Sequence, residues 1–139
     1  NGDPNNFNLN DCSTQRNLNV DGRKQAQEIG EFFRENKIKI YKVLSSEWCR
    51  CKETANIAFK DFSTNNFLNS FYSSKYAKNK DKQVKALNNY VKKFKSNKNL
   101  IFVTHYVLIS EVLNYAPSSG EIVVSDKNFN IIGTLEINF

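Results

Sequence analysis

The sequence predicts an α/β fold, a three-layer α/β/α sandwich with a mostly parallel sheet. Three observations carry this expectation. Segments with helical spacing alternate with strand-like segments along the chain. Residues 100–104 (LIFVT) form a continuous apolar run, as a strand buried on both faces requires. The chain has 139 residues, of which 40% are hydrophobic and 13% aromatic, enough for one domain with a real core. A charged fraction of 24% argues against wholesale disorder. No apolar run approaches the ~18–20 residues of a membrane span.

The elements follow in order. Asn1 to Asn19 is rich in Asn and Asp and reads as a loop. Asn19 is a plausible N-cap with Asp21 in the first turn, and Ala26, Ile29, Gly30 and Phe33 recur at helical spacing. Ile38 to Ser45 alternates and then turns apolar, as a strand does. Trp48, Cys51, Ala55 and Ala58 mark a second helix over Glu47 to Phe59. Phe67 to Tyr72 fits a short strand or an ordered loop equally well. Lys80 to Lys95 is a third helix with Val84, Leu87, Val91 and Phe94 inward, and a fourth runs from about Tyr106 to Asn114. Glu121 to Ser125 and Phe129 to Ile137 are two strands joined by a turn at Asp126 to Asn128.

The net charge is +6. Lysine supplies sixteen of the twenty basic residues; the four arginines are Arg16, Arg23, Arg34 and Arg50. Arginine binds phosphate as a bidentate fork, so its positions say more about an anionic partner than the lysines do. Nine lysines stand against one acid, Asp81, between Lys75 and Lys98. With an ordinary apolar stripe on that helix, they read as a solvated face and not as a nucleic-acid or membrane surface. Met is absent, so the N-terminus is expected to be processed or truncated.

Open α/β sheets bind ligands beyond the carboxyl ends of their strands. Two places qualify. Ser45-Ser46 lead from one strand into the helix carrying Arg50, and Thr104-His105 open the helix after the central strand. Helix starts offer N–H groups and a positive dipole end to an anion. The two segments are expected to converge at one sheet edge. His105 is the only histidine. A histidine at a helix start is ordinarily satisfied by a backbone group, but this one ends a central strand. One His and three Cys at no ligand spacing do not make a metal site, and no nucleophile-elbow pattern occurs. Cys51 shares the buried stripe of its helix, as a packed thiol does. Cys49 faces away from that stripe, and Cys12 lies on a loop expected near the helix start. A Cys12–Cys49 disulfide, which would imply export, and three reduced cysteines in the cytoplasm both remain open.

Residues 45–55 (SSEWCRCKETA) resemble the SSxxxRxxxTA segment of the histidine phosphatase superfamily, which includes phosphoglycerate mutases, acid phosphatases and phosphohistidine phosphatases. Val103-Thr104-His105 resembles that superfamily's second histidine motif, and residues 17–26 (NLNVDGRKQA) its xLTxxGxxQA helix start. The three segments occur in family order. The resemblance implies a phosphoglycerate mutase-like fold and a single domain over 1–139, N-terminally truncated. The family's Arg-His-Gly motif is not in this sequence; it is expected shortly before Asp3-Pro4, on a first strand beside residues 100–104. The activity implied is hydrolysis of phosphomonoesters through a phosphohistidine, without metal or other cofactor, on a phosphorylated small molecule or phosphoprotein. Small size points to the phosphohistidine-phosphatase-like branch. Arg50 would grip the phosphate, His105 would donate a further contact, and Arg16 lies on a loop that should pass the pocket. Glu121 is a candidate general acid, and equally a solvated turn carboxylate. The rival is a non-catalytic phosphate-binding or scaffolding module that has lost its acceptor.

Overall fold

The computed structural model describes residues 2–137; Asn1, where the expected loop begins, lies outside them. After a loop with a short 3-10 turn at Cys12–Thr14 come α1 (Val20–Glu35), β1 (Ile40–Ser45), α2 (Cys49–Phe59), β2 (Ser63–Thr64), α3 (Lys80–Lys93), β3 (Asn99–Val103), α4 (Tyr106–Leu113), β4 (Ile122–Ser125) and β5 (Ile131–Leu135). The strands form a parallel sheet in the order β2-β1-β3 and a separate antiparallel hairpin, β4-β5.

Local chemistry explains the element ends. Asn19 caps α1, its side chain accepting the Gly22 N–H at 2.8 Å. Asn114 closes α4 in the left-handed conformation that Asn tolerates. The Asp126 carboxylate accepts the N–H groups of Asn128 and Asn130, which folds the hairpin turn.

Leu44 points from β1 into the main core, with Phe67, Leu68 and Phe71, Leu87 and Val91 of α3, and Leu108 of α4. On α1 and α2, Ala26, Ile29, Gly30, Ala55 and Ala58 are buried. Gly30 is required there: a Cβ would sit 2.4 Å from the Ala58 carbonyl oxygen, so only glycine lets the two helices approach this closely.

Two expectations are corrected. Residues 100–103 are half-buried, not buried on both faces, because β3 pairs with β1 along one edge and with no other described strand. On α3 Leu87 and Val91 are buried as expected, but the third buried position is Gln83, whose amide donates to the carbonyls of Asn69 (2.8 Å) and Phe67 (3.4 Å); Val84 and Phe94, expected inward, are only half-buried. Of the two readings of Phe67 to Tyr72, the ordered loop is the one observed: a 3-10 turn spans Asn66–Leu68, capped by Asn65, and the short β2 precedes it.

Candidate active site

The pairing of β1 with β3 delivers the two motif segments to one place. Ser45 lies opposite Val103, and the Ser46 N–H extends the ladder to the Val103 carbonyl at 2.9 Å. Both strands are parallel and stop together, so Ser46 and His105 leave the same sheet edge side by side. Ser46 Oγ lies 2.8 Å from His105 Nε2, and Arg50 Nη2 lies 3.4 Å from His105 Nδ1. Sequence reasoning singled out both Arg50 and His105, and the structure brings them together.

Trp48 is buried beneath this pair. Its indole packs edge-on to His105 at 5.2 Å between ring centres, stacks on Phe7 at 5.1 Å and meets Tyr76 at 5.4 Å. These rings wall one side of the site and lower its local dielectric, which strengthens every charge interaction within it.

Asp3 is the residue that sequence reasoning missed. Its carboxylate accepts from Arg50 Nη1 at 2.9 Å, the Trp48 indole N–H at 3.1 Å and the Arg16 backbone N–H at 3.0 Å. Burial pushes its pKa up, but the Arg16 N–H, the Arg50 charge and the Trp48 bond together outweigh this and hold it below the usual carboxylate range. Asp3 thus fixes Nη1 of Arg50 and turns Nη2 toward His105. The three donors together compensate the partly buried negative charge of Asp3. No local pattern marks Asp3, because its partners lie 13 and more residues away.

Arg16 contributes its backbone N–H there; its side chain is exposed, and its charge is felt at His105. Glu121 is not brought into this network. Its carboxylate is engaged by the Tyr115 hydroxyl and the Ser118 N–H, and these bonds hold its pKa below the ordinary value. The start of α2 is also less open than a bare helix end. Gln15 Oε1 accepts the Cys49 N–H at 2.9 Å, Ser46 Oγ accepts the Trp48 N–H and Asn69 Oδ1 the Glu47 N–H. The anion-binding capacity of this edge therefore rests on the Arg50 guanidinium more than on helix N–H groups. Cys12 and Cys49 are joined by a disulfide with Cα atoms 5.7 Å apart, tying the Arg16 loop to the first turn of α2. Cys51 is buried and free, and burial pushes its thiol up to about 12 against the pull of Arg50. Among the described residues no group of His, Cys, Asp and Glu could hold a metal ion, and no helix is long and apolar enough to cross a membrane.

His105 is only 7% exposed, and burial first, then the Arg50 charge, lowers its pKa to about 3. A histidine free in the unfolded chain takes up a proton near pH 6.5. Between those values the unfolded state binds more protons than the folded one, so stability falls as pH drops below about 6.5. Urea midpoints measured from pH 8 to pH 5 should therefore decline, and His105→Gln should flatten the decline. A pH-independent midpoint in the native protein would show that His105 is not held neutral.

Residues 10–69 match a model of the histidine phosphatase superfamily (branch 1). That stretch contains Cys12, Arg16, Ser46, Arg50 and Asn69. No curated protein matches the chain. Among solved structures the chain is similar to the product of open reading frame Rv3214 from Mycobacterium tuberculosis, described as a structure solution to 2.2 Å with functional characterisation. The TM-score is 0.51 at 15% identity, covering 72% of this chain and 68% of that one, a likeness of fold. The family match supports a phosphatase-like function. Residues 10–69 are thus similar to the histidine phosphatase superfamily, and the chain shares the fold of that solved structure.

Proposed function

We propose that residues 1–139 form most of one phosphatase domain that hydrolyses phosphomonoesters through a phosphohistidine, with the acceptor histidine supplied by residues upstream of Asn1. One observation carries this reading: Arg50 and His105, from two parallel strands, meet at one sheet edge with their nitrogens 3.4 Å apart. His105, the only histidine in the sequence, is itself a poor acceptor of the phosphoryl group. Nε2 is bonded within the protein, and Nδ1 faces the guanidinium that must hold the phosphate. A nucleophile from elsewhere is therefore required. An upstream strand along the unpaired edge of β3 would deliver one beside Arg50, and would bury the half-exposed residues 100–103.

In this reading Arg50 and His105 stabilise the charge on the transferred group, Arg16 reaches the substrate from its loop, and Glu121 is the candidate acid for the leaving oxygen. Glu121 is ionised at neutral pH, so it must first take a proton from solvent. The substrate class is a phosphorylated small molecule or phosphoprotein.

The test compares this chain with a longer one that includes the upstream residues. The longer chain should hydrolyse p-nitrophenyl phosphate and trap an acid-labile phosphoenzyme, and this chain should do neither. Glu121→Gln should slow alkyl phosphates more than p-nitrophenyl phosphate, whose leaving group needs no acid. Phosphate binding without any phosphoenzyme in the longer chain would favour a non-catalytic binding module. Full activity in this chain alone would show that the nucleophile has been misassigned.

A further inference from the structure

We propose that Asn69 is a positioning residue that, acting through the Ser46 hydroxyl, decides which ring nitrogen of His105 carries the proton, leaving a lone pair at Nδ1 beside Arg50. The inference rests on the phosphatase reading only for its consequence in catalysis; the proton arrangement follows from the hydrogen bonds alone.

The chain of bonds admits one consistent assignment. Arg50 Nη2, 3.4 Å from Nδ1, is a permanently protonated donor with no lone pair to offer. Nδ1 must therefore accept. A neutral imidazole then carries its hydrogen on Nε2, and the atoms around Nε2 fit this: Ser46 Oγ at 2.8 Å and Cys51 Sγ at 3.6 Å, whose own S–H points to the Thr104 carbonyl. Ser46 Oγ also accepts the Trp48 N–H at 3.1 Å. With both lone pairs used, its hydroxyl hydrogen must go elsewhere, and Asn69 Oδ1 lies 3.2 Å away.

The Asn69 amide has a single workable orientation. Its Oδ1 accepts the Glu47 N–H at 2.9 Å, and its Nδ2 donates to Glu47 Oε1 at 2.9 Å. Turned over, it would set an NH₂ group against the Glu47 N–H and an oxygen against a carboxylate. The backbone is pinned as well: Gln83 of α3 donates to the Asn69 carbonyl at 2.8 Å. Asn69 is thus a fixed acceptor at the end of a relay running from His105 Nε2 through Ser46. Were it absent, the Ser46 hydroxyl could turn toward Nε2 and drive the ring proton to Nδ1, against the guanidinium.

The consequence is chemical. A phosphate entering beside Arg50 meets a proton acceptor at Nδ1. It must bring a proton, as a monoanion does, or the ring must take one from solvent on binding. The charged groups bearing on the ring are Arg50, Asp3 and Arg16, so the proton taken up would join two cations and one carboxylate until the phosphate arrives.

The test is nitrogen-15 NMR of histidine-labelled, tag-free protein at pH 7, where His105 gives the only imidazole signal. The native chain should show the Nε2–H tautomer. Asn69→Ala and Ser46→Ala should each raise the Nδ1–H share roughly fivefold, the weight of one ordinary hydrogen bond. Asn69→Asp combined with Glu47→Gln, which keeps the acceptor oxygen and lets an amide face the new carboxylate, should retain the native tautomer. The Nδ1–H form in the native protein overturns the proposal outright, whether or not the variants fold. So does an unchanged tautomer in a folded Asn69→Ala protein. No phosphatase assay enters this test, so failure of the enzymatic reading leaves its result standing.

Discussion

Arg50→Ala should lower turnover in the longer, acceptor-bearing protein by roughly 10²–10³-fold, the cost of removing one preorganised donor from a developing charge. The argument begins with the way Arg50 is held. Asp3 fixes Nη1 at 2.9 Å, and the side chain is only partly exposed, so the fork enters the site without having to be ordered by substrate. Alanine would remove the fork and also leave the Asp3 carboxylate with only the Trp48 and Arg16 N–H groups. The variant therefore carries a second signature. The Arg50 charge holds the His105 pKa down, so the imidazole of the variant should protonate at higher pH than in the native protein. Arg50→Lys should restore much of the charge effect on His105 but little of the turnover, because an ammonium cannot reproduce the planar fork. Steady-state kinetics and a histidine NMR titration read the two effects separately. Native turnover in Arg50→Ala would place the phosphate elsewhere.

The parts of this fold that a reader of the sequence can see are those whose causes are local. Asn19 caps the helix that begins one residue later, and the stripe Ala26, Ile29 and Gly30 repeats within two turns. Ser45–Arg50 and Val103–His105 are each contiguous, and their meeting follows from the rule that ligands gather at the carboxyl ends of parallel strands. The rest of the site comes from contacts that no spacing announces. Asp3 reaches Arg50 across 47 positions, Gln15 reaches the Cys49 N–H across 34, and Asn69 reaches Ser46 across 23. Gln83 shows the same limit in the core. Periodicity puts apolar Val84 inside, but the irregular turn at Asn66–Leu68 leaves backbone carbonyls to be satisfied, and a buried amide serves them where a valine could not. Residues 100–103 are the converse case: a run composed for burial on both faces, in a strand paired along one edge.

Breaking the Cys12–Cys49 disulfide should lower stability by about 2–4 kcal/mol. The bridge spans 37 positions, a loop for which the chain-entropy model gives about 4 kcal/mol, and measured bridges of this kind commonly fall at or below that figure. Its native-state contacts argue for an effect of that size. The bridge anchors the loop that supplies Gln15 to the Cys49 N–H and the Arg16 N–H to Asp3, so reduction loosens the support beneath Arg50 as well as enlarging the unfolded ensemble. Urea unfolding of the native chain with and without reductant, and of Cys12→Ser, should show the same fall in midpoint. Agreement between the two would exclude a side effect of the serine. Thiol titration supplies an independent check. Folded protein should react little, because Cys51 is buried and its thiol is pushed up to about 12, while denatured, unreduced protein should yield one thiol per chain. Three thiols, or a midpoint indifferent to reductant, would mean that the loop is held to α2 by its hydrogen bonds alone. In the longer protein, reduction should then cost far less turnover than Arg50→Ala, because Asp3, Trp48 and the β1–β3 ladder still place the guanidinium beside His105.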